Sequence, residues 1–254
     1  PSEIFFTSGG TEADNTVLQS AVLHGGCKVI ITSPLEHHAV LHTAEAWAKL
    51  GLAELKLVRV SPEGVIDLGH LEALLSSSEK AIVSLMHGNN EIGNLLDLNA
   101  VGDLCEQYGA LFHSDTVQTM GHYKHDASAL KVHFMVGAAH KFHGPKGIGF
   151  LYAKAGTKFS PLMHGGAQER NQRGGTENVY GMIGIAKALE MAYASMDEHE
   201  AYIKGLKAYF IEGLQKQFPG ISFNGASGDV ENSLYTVLNV RFPSVADGDM
   251  HLFQ

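Results

Sequence analysis

Seven short apolar runs, separated by stretches of helical periodicity, constrain this chain more than any other feature. The runs cover residues 3–7, 28–32, 54–60, 81–86, 110–114, 132–136 and 148–152, and helical patterns fall between them near 11–24, 37–50, 68–75 and 98–108. Such alternation predicts an α/β architecture, a mostly parallel seven-stranded sheet with helices on both faces. From about 177 to 218 the pattern turns helical throughout. There Ile203, Leu206, Phe210 and Leu214 recur at the spacing of one apolar helix face. Short strands are expected at 221–223 and 235–241. We therefore expect a large domain over residues 1–196 and part of a smaller α+β domain over residues 197–254.

Composition excludes several function classes. The net charge is −9 and basic runs are absent, so no nucleic-acid footprint is expected. No apolar run is long enough to span a bilayer and no signal peptide is visible, so no membrane association is expected either. The two cysteines, Cys27 and Cys105, lie far apart and form no CxxC pair, which fits free thiols in a reducing cytoplasm. The 15 histidines include no HExxH spacing, Glu36-His37-His38 alone is a weak metal signal, and no metal site is expected. The chain opens on Pro1 without an initiator methionine and stops at His251-Leu252-Phe253-Gln254, which reads as the start of a helix. Both ends suggest a segment of a longer protein.

The chemistry-bearing motifs each follow a strand or open a helix, where an α/β sheet gathers its ligand groups. In Val136-Gly137-Ala138-Ala139-His140-Lys141-Phe142-His143-Gly144-Pro145-Lys146-Gly147, an apolar run delivers Lys141 into a Gly-Pro turn. A lysine at the mouth of a buried strand is expected to be desolvated, and a neutral amine can form a Schiff base with an aldehyde such as pyridoxal 5′-phosphate. A solvated surface lysine is the alternative. The run Thr7-Ser8-Gly9-Gly10-Thr11-Glu12-Ala13-Asp14-Asn15 reads either as an anion site at a helix start or as an ordinary capped helix. In His113-Ser114-Asp115-Thr116-Val117-Gln118, the acid at a strand end either faces a ligand crevice or caps a helix. Asn90, in His87-Gly88-Asn89-Asn90-Glu91, either bonds a ring hydroxyl or sits in a simple turn. The glycine-rich loop 164–178 carries Arg173 and Thr176, which either meet a phosphate or belong to a surface loop.

These segments, in this order and at compatible spacings across residues 4–178, resemble the cysteine desulfurases of the NifS/IscS-like group, a class V branch of the fold-type I pyridoxal phosphate enzymes. The carrying pieces are TSGGTEADN, EHHAV, HGNNEIG, HSDTVQ, AHKFHGPKG and HGGAQERNQRGGTEN, and NSLYTVLNVRF (232–242) resembles a strand of the small domain. The resemblance implies the aspartate aminotransferase-like fold of pyridoxal phosphate-dependent transferases. It implies Lys141 as the Schiff-base lysine, His37 stacked on the pyridine ring and Asp115 on the ring nitrogen. Asn90 and Gln118 would contact the 3-hydroxyl, and Gly10, Thr11 and His140 the phosphate. Thr176 would reach the phosphate of a partner subunit in a homodimer. It further implies L-cysteine as substrate, alanine as product, and a persulfide passed to an iron–sulfur scaffold or thiolation partner.

Two departures stand out. Ala138 occupies a phosphate-side position where the family has serine, so one hydroxyl is missing. The persulfide cysteine and the arginine that grips the substrate carboxylate are expected beyond Gln254, because neither Cys27 nor Cys105 falls on the corresponding loop. Other class V activities (a selenocysteine lyase, an aminotransferase-like enzyme) and a non-catalytic partner-binding role are the competing readings.

Overall fold

The computed structural model describes residues 2–243; the helix start read at 251–254 lies outside the described residues. All seven expected strands form: β1 (Ile4–Thr7), β2 (Val29–Thr32), β3 (Glu54–Leu57), β4 (Ala81–Ser84), β5 (Leu111–Asp115), β6 (Phe134–Ala138) and β7 (Gly149–Ala153). They join in one sheet of order β1-β7-β6-β5-β4-β2-β3. The pairs from β6 through β5, β4 and β2 to β3 are parallel, while β7 runs antiparallel to both β6 and β1. Six strands therefore point one way, and their carboxyl ends open on one edge of the sheet.

Helices α1 (Gly10–Leu23), α2 (His38–Lys49), α3 (Leu68–Ser76) and α4 (Leu98–Gln107) cover the two faces. The division follows from strand pleating, which sends successive side chains to opposite sides. Ile30, Ile82, Phe134 and Val136 pack with Ala13, Val17, Leu18, Val40 and Ala44 under α1 and α2. Their neighbours Ile31, Val83, Phe112 and Met135 pack with Leu71, Leu75, Val101 and Cys105 under α3 and α4. Strands β2 and β4, each opening on three consecutive aliphatic residues, are buried throughout, as two-sided coverage requires. Gly137 on β6 is fixed by packing: a Cβ there would approach the Phe150 ring to 2.4 Å. Gly137→Ala should therefore cost about 1–3 kcal/mol of stability, read as a lowered urea midpoint at unchanged slope.

The second half departs from expectation in three places. The single helical stretch is two helices, α6 (Val179–Ala194) and α7 (Met196–Gln217), preceded by a distorted turn, α5 (Gln168–Asn171). The expected apolar face of α7 is not the buried one. Leu206 and Phe210 are 50% and 57% exposed, whereas Met196 and Lys207 are buried. Lys207 turns inward because its ammonium is held by Ser233 Oγ at 2.7 Å and the Leu234 carbonyl at 3.5 Å. The strand expected over 235–241 is reduced to β9 (Val240–Arg241), paired with β8 (Ser222–Phe223). Ser233, Leu234 and Tyr235 are instead buried against the large sheet's loops, with the Leu234 amide bonded to the Gly93 carbonyl at 2.8 Å. Among the described residues no helix is long and apolar enough to cross a membrane.

Candidate active site

Five strands, β1, β2, β4, β5 and β6, release their chains at the same edge of the sheet, and the residues that follow them line one crevice of about 250 Å³. Gly10, Thr11, His37, Asn90, Asp115, Gln118, Ala138, His140 and Lys141 all face it. Of the residues to which the resemblance gives a cofactor contact, Thr176 does not line the crevice and is exposed in the loop before α6. Asp14, Met86 and Val117 complete the lining and were not anticipated. Asp14 carried a legible signal: an acid four residues after Gly10, on the helix face that also buries Ala13, Val17 and Leu18.

One end of the crevice suits an anion. Helix α1 starts at Gly10 with no side-chain cap, which leaves its first-turn amides without intrahelical partners and its dipole unopposed. The Thr11 hydroxyl and the His140 and Lys141 side chains border the same space. Ala138 contributes only a methyl there. Glu12 would oppose an anion, but its carboxylate is neutralised. Arg173 donates to it from Nε at 2.9 Å and from Nη2 at 3.2 Å, and the Ser8 amide donates at 2.8 Å. Burial raises the Glu12 carboxyl, and the Arg173 and Ser8 donors outweigh it, leaving the group below its ordinary range. Arg173 is thus engaged by Glu12. Arg173→Ala strands a carboxylate that is 8% exposed and should cost about 1–3 kcal/mol, with the loss largest near neutral pH and vanishing in acid. A urea titration at two pH values reads this; equal losses at both would refute the pairing.

Beneath the crevice lies a buried group of acids and one histidine. Asp115 accepts the Val117 amide at 2.9 Å through Oδ1, and burial, aided by Asp14, pushes its carboxyl up to about 7. Asp14 is raised well above the usual carboxylate range by burial alone. His113 is lowered to about 4, also by burial, while its Nδ1 contacts Ser84 Oγ at 2.8 Å. His113 Nε2 and Asp14 Oδ1 lie 3.4 Å apart without hydrogen-bond alignment, so they face each other as two groups driven neutral. Glu36 accepts from Ser33 Oγ at 2.9 Å and from the Met86 amide at 3.1 Å, both through Oε1, and Oε2 is buried without a partner.

Burial raises Glu36 to about 8 from an ordinary 4.5, so the folded chain keeps a proton that the unfolded chain has lost. The stability this gives is complete below pH 4.5 and is lost as pH climbs towards about 8, with a limiting slope of about 1.4 kcal/mol per pH unit. Glu36→Gln keeps the acceptor at Oε1 and removes the titration. It should flatten the stability profile between pH of about 5 and 8 and be the more stable form at the alkaline end. Parallel urea midpoints for the two proteins across that range would reject the assignment.

Lys141 sits in a 3-10 turn, Ala139–Phe142, that follows β6 and is closed by His143 at φ 65° and by the Gly144 amide on the Ala139 carbonyl. The expected desolvation of its side chain is not supplied by the chain: Lys141 is exposed at the crevice mouth, because the turn lifts it clear of the buried strand. Exclusion of water must come from what fills the crevice. His37 caps α2, its Nδ1 accepting the Ala39 amide at 3.1 Å, so the ring is fixed with its Nε2 carrying any proton. Both cysteines are buried, Cys27 under α1 and Cys105 on α4, and burial pushes the Cys105 thiol up to about 12. Neither is an available nucleophile.

A family model described as aminotransferase class-V matches residues 1–253. The chain is 42% identical over 245 residues to a cysteine desulfurase IscS of Dictyoglomus turgidum, covering 96% of this chain and 61% of that one. It is 37% identical over 242 residues to the cysteine desulfurase NifS of Azotobacter vinelandii, covering 95% and 59%. Among solved structures, a NifS-like protein superposes with a TM-score of 0.89 at 37% identity, over 96% of this chain and 66% of that one. The chain thus spans about three-fifths of the length of the curated relatives it matches. The family match extends through the crevice and through every strand of the sheet, and the family is one of pyridoxal phosphate-dependent enzymes. This chain belongs to the class-V aminotransferase family.

Proposed function

We propose that this protein is a cysteine desulfurase that binds pyridoxal 5′-phosphate in the crevice described above. The observation that carries the reading is the meeting of Lys141, Asp115 and His37, drawn from three different strand ends, in one cavity with an uncapped helix start. The residues present fit the cofactor. Asp115 is a buried acid raised to about 7, and the cation that would lower it is a protonated pyridine nitrogen. The α1 amides, Thr11 and His140 suit the phosphate, without the hydroxyl that Ala138 lacks. When bound, the cofactor supplies an electron sink conjugated to the substrate's α-carbon.

The chain's own residues then divide the work. Asp115 would hold the proton on the ring nitrogen, and Asn90 and Gln118 would orient the 3-hydroxyl. His37, held at Nδ1 by the Ala39 amide, would face the bound ring with its Nε2 free to pass a proton. Lys141 would hold the cofactor through its aldehyde and would move protons at the substrate's α-carbon. The overall reaction is L-cysteine plus an enzyme thiol giving L-alanine plus an enzyme persulfide, with one sulfur atom transferred and no external oxidant. The thiol is neither Cys27 nor Cys105, since both are buried. We place it outside these 254 residues, together with the arginine for the substrate carboxylate. We further propose a cytoplasmic homodimer in which Thr176 reaches the partner's phosphate, a protein acceptor for the persulfide, and a domain division near Met196.

Sulfide and alanine release from L-cysteine tests the reading. With excess dithiothreitol to reduce the persulfide to sulfide and free thiol, the intact holoprotein should produce both in equal amounts, whereas residues 1–254 alone should release no sulfide above that of free cofactor. Robust turnover by the 254-residue chain, lost on Cys105→Ser, would overturn the placement of the nucleophile. Equal turnover of selenocysteine with none of cysteine would point to the selenocysteine lyase reading.

A further inference from the structure

We propose that His122 is a positioning residue for Lys141, and that Tyr235, from the segment after α7, sets its direction. The role assigned to Lys141 rests on the function proposed above. The hydrogen-bonded chain itself does not. His122 Nε2 lies 3.1 Å from the Lys141 carbonyl oxygen, and its Nδ1 lies 2.9 Å from Tyr235 Oη. A carbonyl only accepts, so Nε2 carries the hydrogen, and in a neutral imidazole Nδ1 then accepts. The phenol must therefore donate. The sequence of donors is fixed end to end, from Tyr235 O–H to Nδ1, and from Nε2–H to the Lys141 carbonyl.

Each part of this chain is held elsewhere. Tyr235 is 2% exposed, with its ring 5.7 Å from that of His122 at a steep angle and 5.6 Å from that of Tyr123. Just before it, Ser233 receives the Tyr123 hydroxyl on its carbonyl at 3.1 Å and the Lys207 ammonium on its Oγ at 2.7 Å. Leu234 is fully buried and tied to Gly93, in the loop that carries Asn90. His122 itself follows the turn that brings Gln118 to the crevice, its amide bonded to the Thr119 carbonyl at 3.0 Å. The Lys141 carbonyl belongs to the short 3-10 turn, so a donor on it fixes the peptide from which the exposed side chain projects. Burial lowers His122 from its ordinary value, which supports the neutral form that the geometry requires. The segment 233–235 thus locks two crevice loops at once, one directly at Gly93 and one through His122 at Lys141.

Two measurements test this. In the cofactor-free protein, ¹⁵N spectra of the imidazole rings, with His122 assigned by its loss in His122→Gln, should show the hydrogen on Nε2, and Tyr235→Phe should shift the Nδ1 resonance. A hydrogen on Nδ1, or no response to Tyr235→Phe, overturns the inference whatever the cofactor does. In the intact holoprotein, His122→Ala and Tyr235→Phe should lower kcat by about tenfold while KM for L-cysteine stays within about twofold. His122→Gln, which can still donate towards Lys141, should recover most of the loss. Unchanged kcat in both variants, or losses that follow thermal midpoints rather than the donor inventory, would overturn the positioning role. A Lys141→Ala protein that kept its chromophore would instead sink the proposed function, leaving the ring spectra to stand.

Discussion

Replacing Lys141 with alanine should abolish the borohydride-reducible visible chromophore of the holoprotein and reduce sulfide release on the order of 10³-fold or more, with the fold unchanged. The side chain is exposed at the crevice mouth and its loss removes no buried contact, so stability should move by less than about 0.5 kcal/mol. That separation is what makes the test sharp. A structural lysine would alter stability and leave the chromophore, whereas an anchoring lysine does the reverse. Among the described lysines, only Lys141 lines the crevice. A variant that retains a reducible band after dialysis would show that another amine carries the cofactor.

Asp115→Asn should lower turnover by about 10²–10³-fold, because an amide cannot hold the proton that makes the pyridine ring an electron sink. The effect on the cofactor-free protein should have the opposite sign. Burial raises Asp115 to about 7, so ionising it is costly and its stabilising protonation is lost as pH rises from the ordinary carboxylate value through about 7. Asparagine removes that cost, and above neutral pH the variant should be at least as stable as the parent. Lost turnover together with a raised urea midpoint at pH of about 8 is the expected pair. Near-normal turnover would mean that the ring nitrogen lies elsewhere, and a large destabilisation would make Asp115 a structural residue.

Much of the crevice was legible because its residues are read locally. A strand end followed by a turn residue announces a loop at the sheet edge, and five such loops converge once the strands are parallel. The loops carrying Asn90, Asp115 and Lys141 were recognisable on their own segments, and the sheet merely gathered them. Asp14 was missed because its neighbours read as an ordinary amphipathic helix start. Only the packing of α1 on β5 and β6 turns that acid towards Asp115. Arg173 had two readings open in the sequence. Its choice of Glu12 joins residues 161 positions apart, a distance over which no spacing rule operates.

The sequence by itself determined the alternation of elements, the two-sided burial of β2 and β4 and the order of the candidate site motifs. Each of these follows from side-chain periodicity within a few residues, where backbone geometry dictates which neighbours share a face. Only the tertiary structure decided which face of α7 is buried, because Lys207 finds partners at Ser233 and Leu234 while Leu206 and Phe210 do not. The same holds for Lys141, whose exposure depends on the 3-10 turn that lifts it, and for Tyr235, drawn out of the expected strand and onto His122. These outcomes are competitions between distant partners for one buried place, and a local pattern carries no information about the competitor.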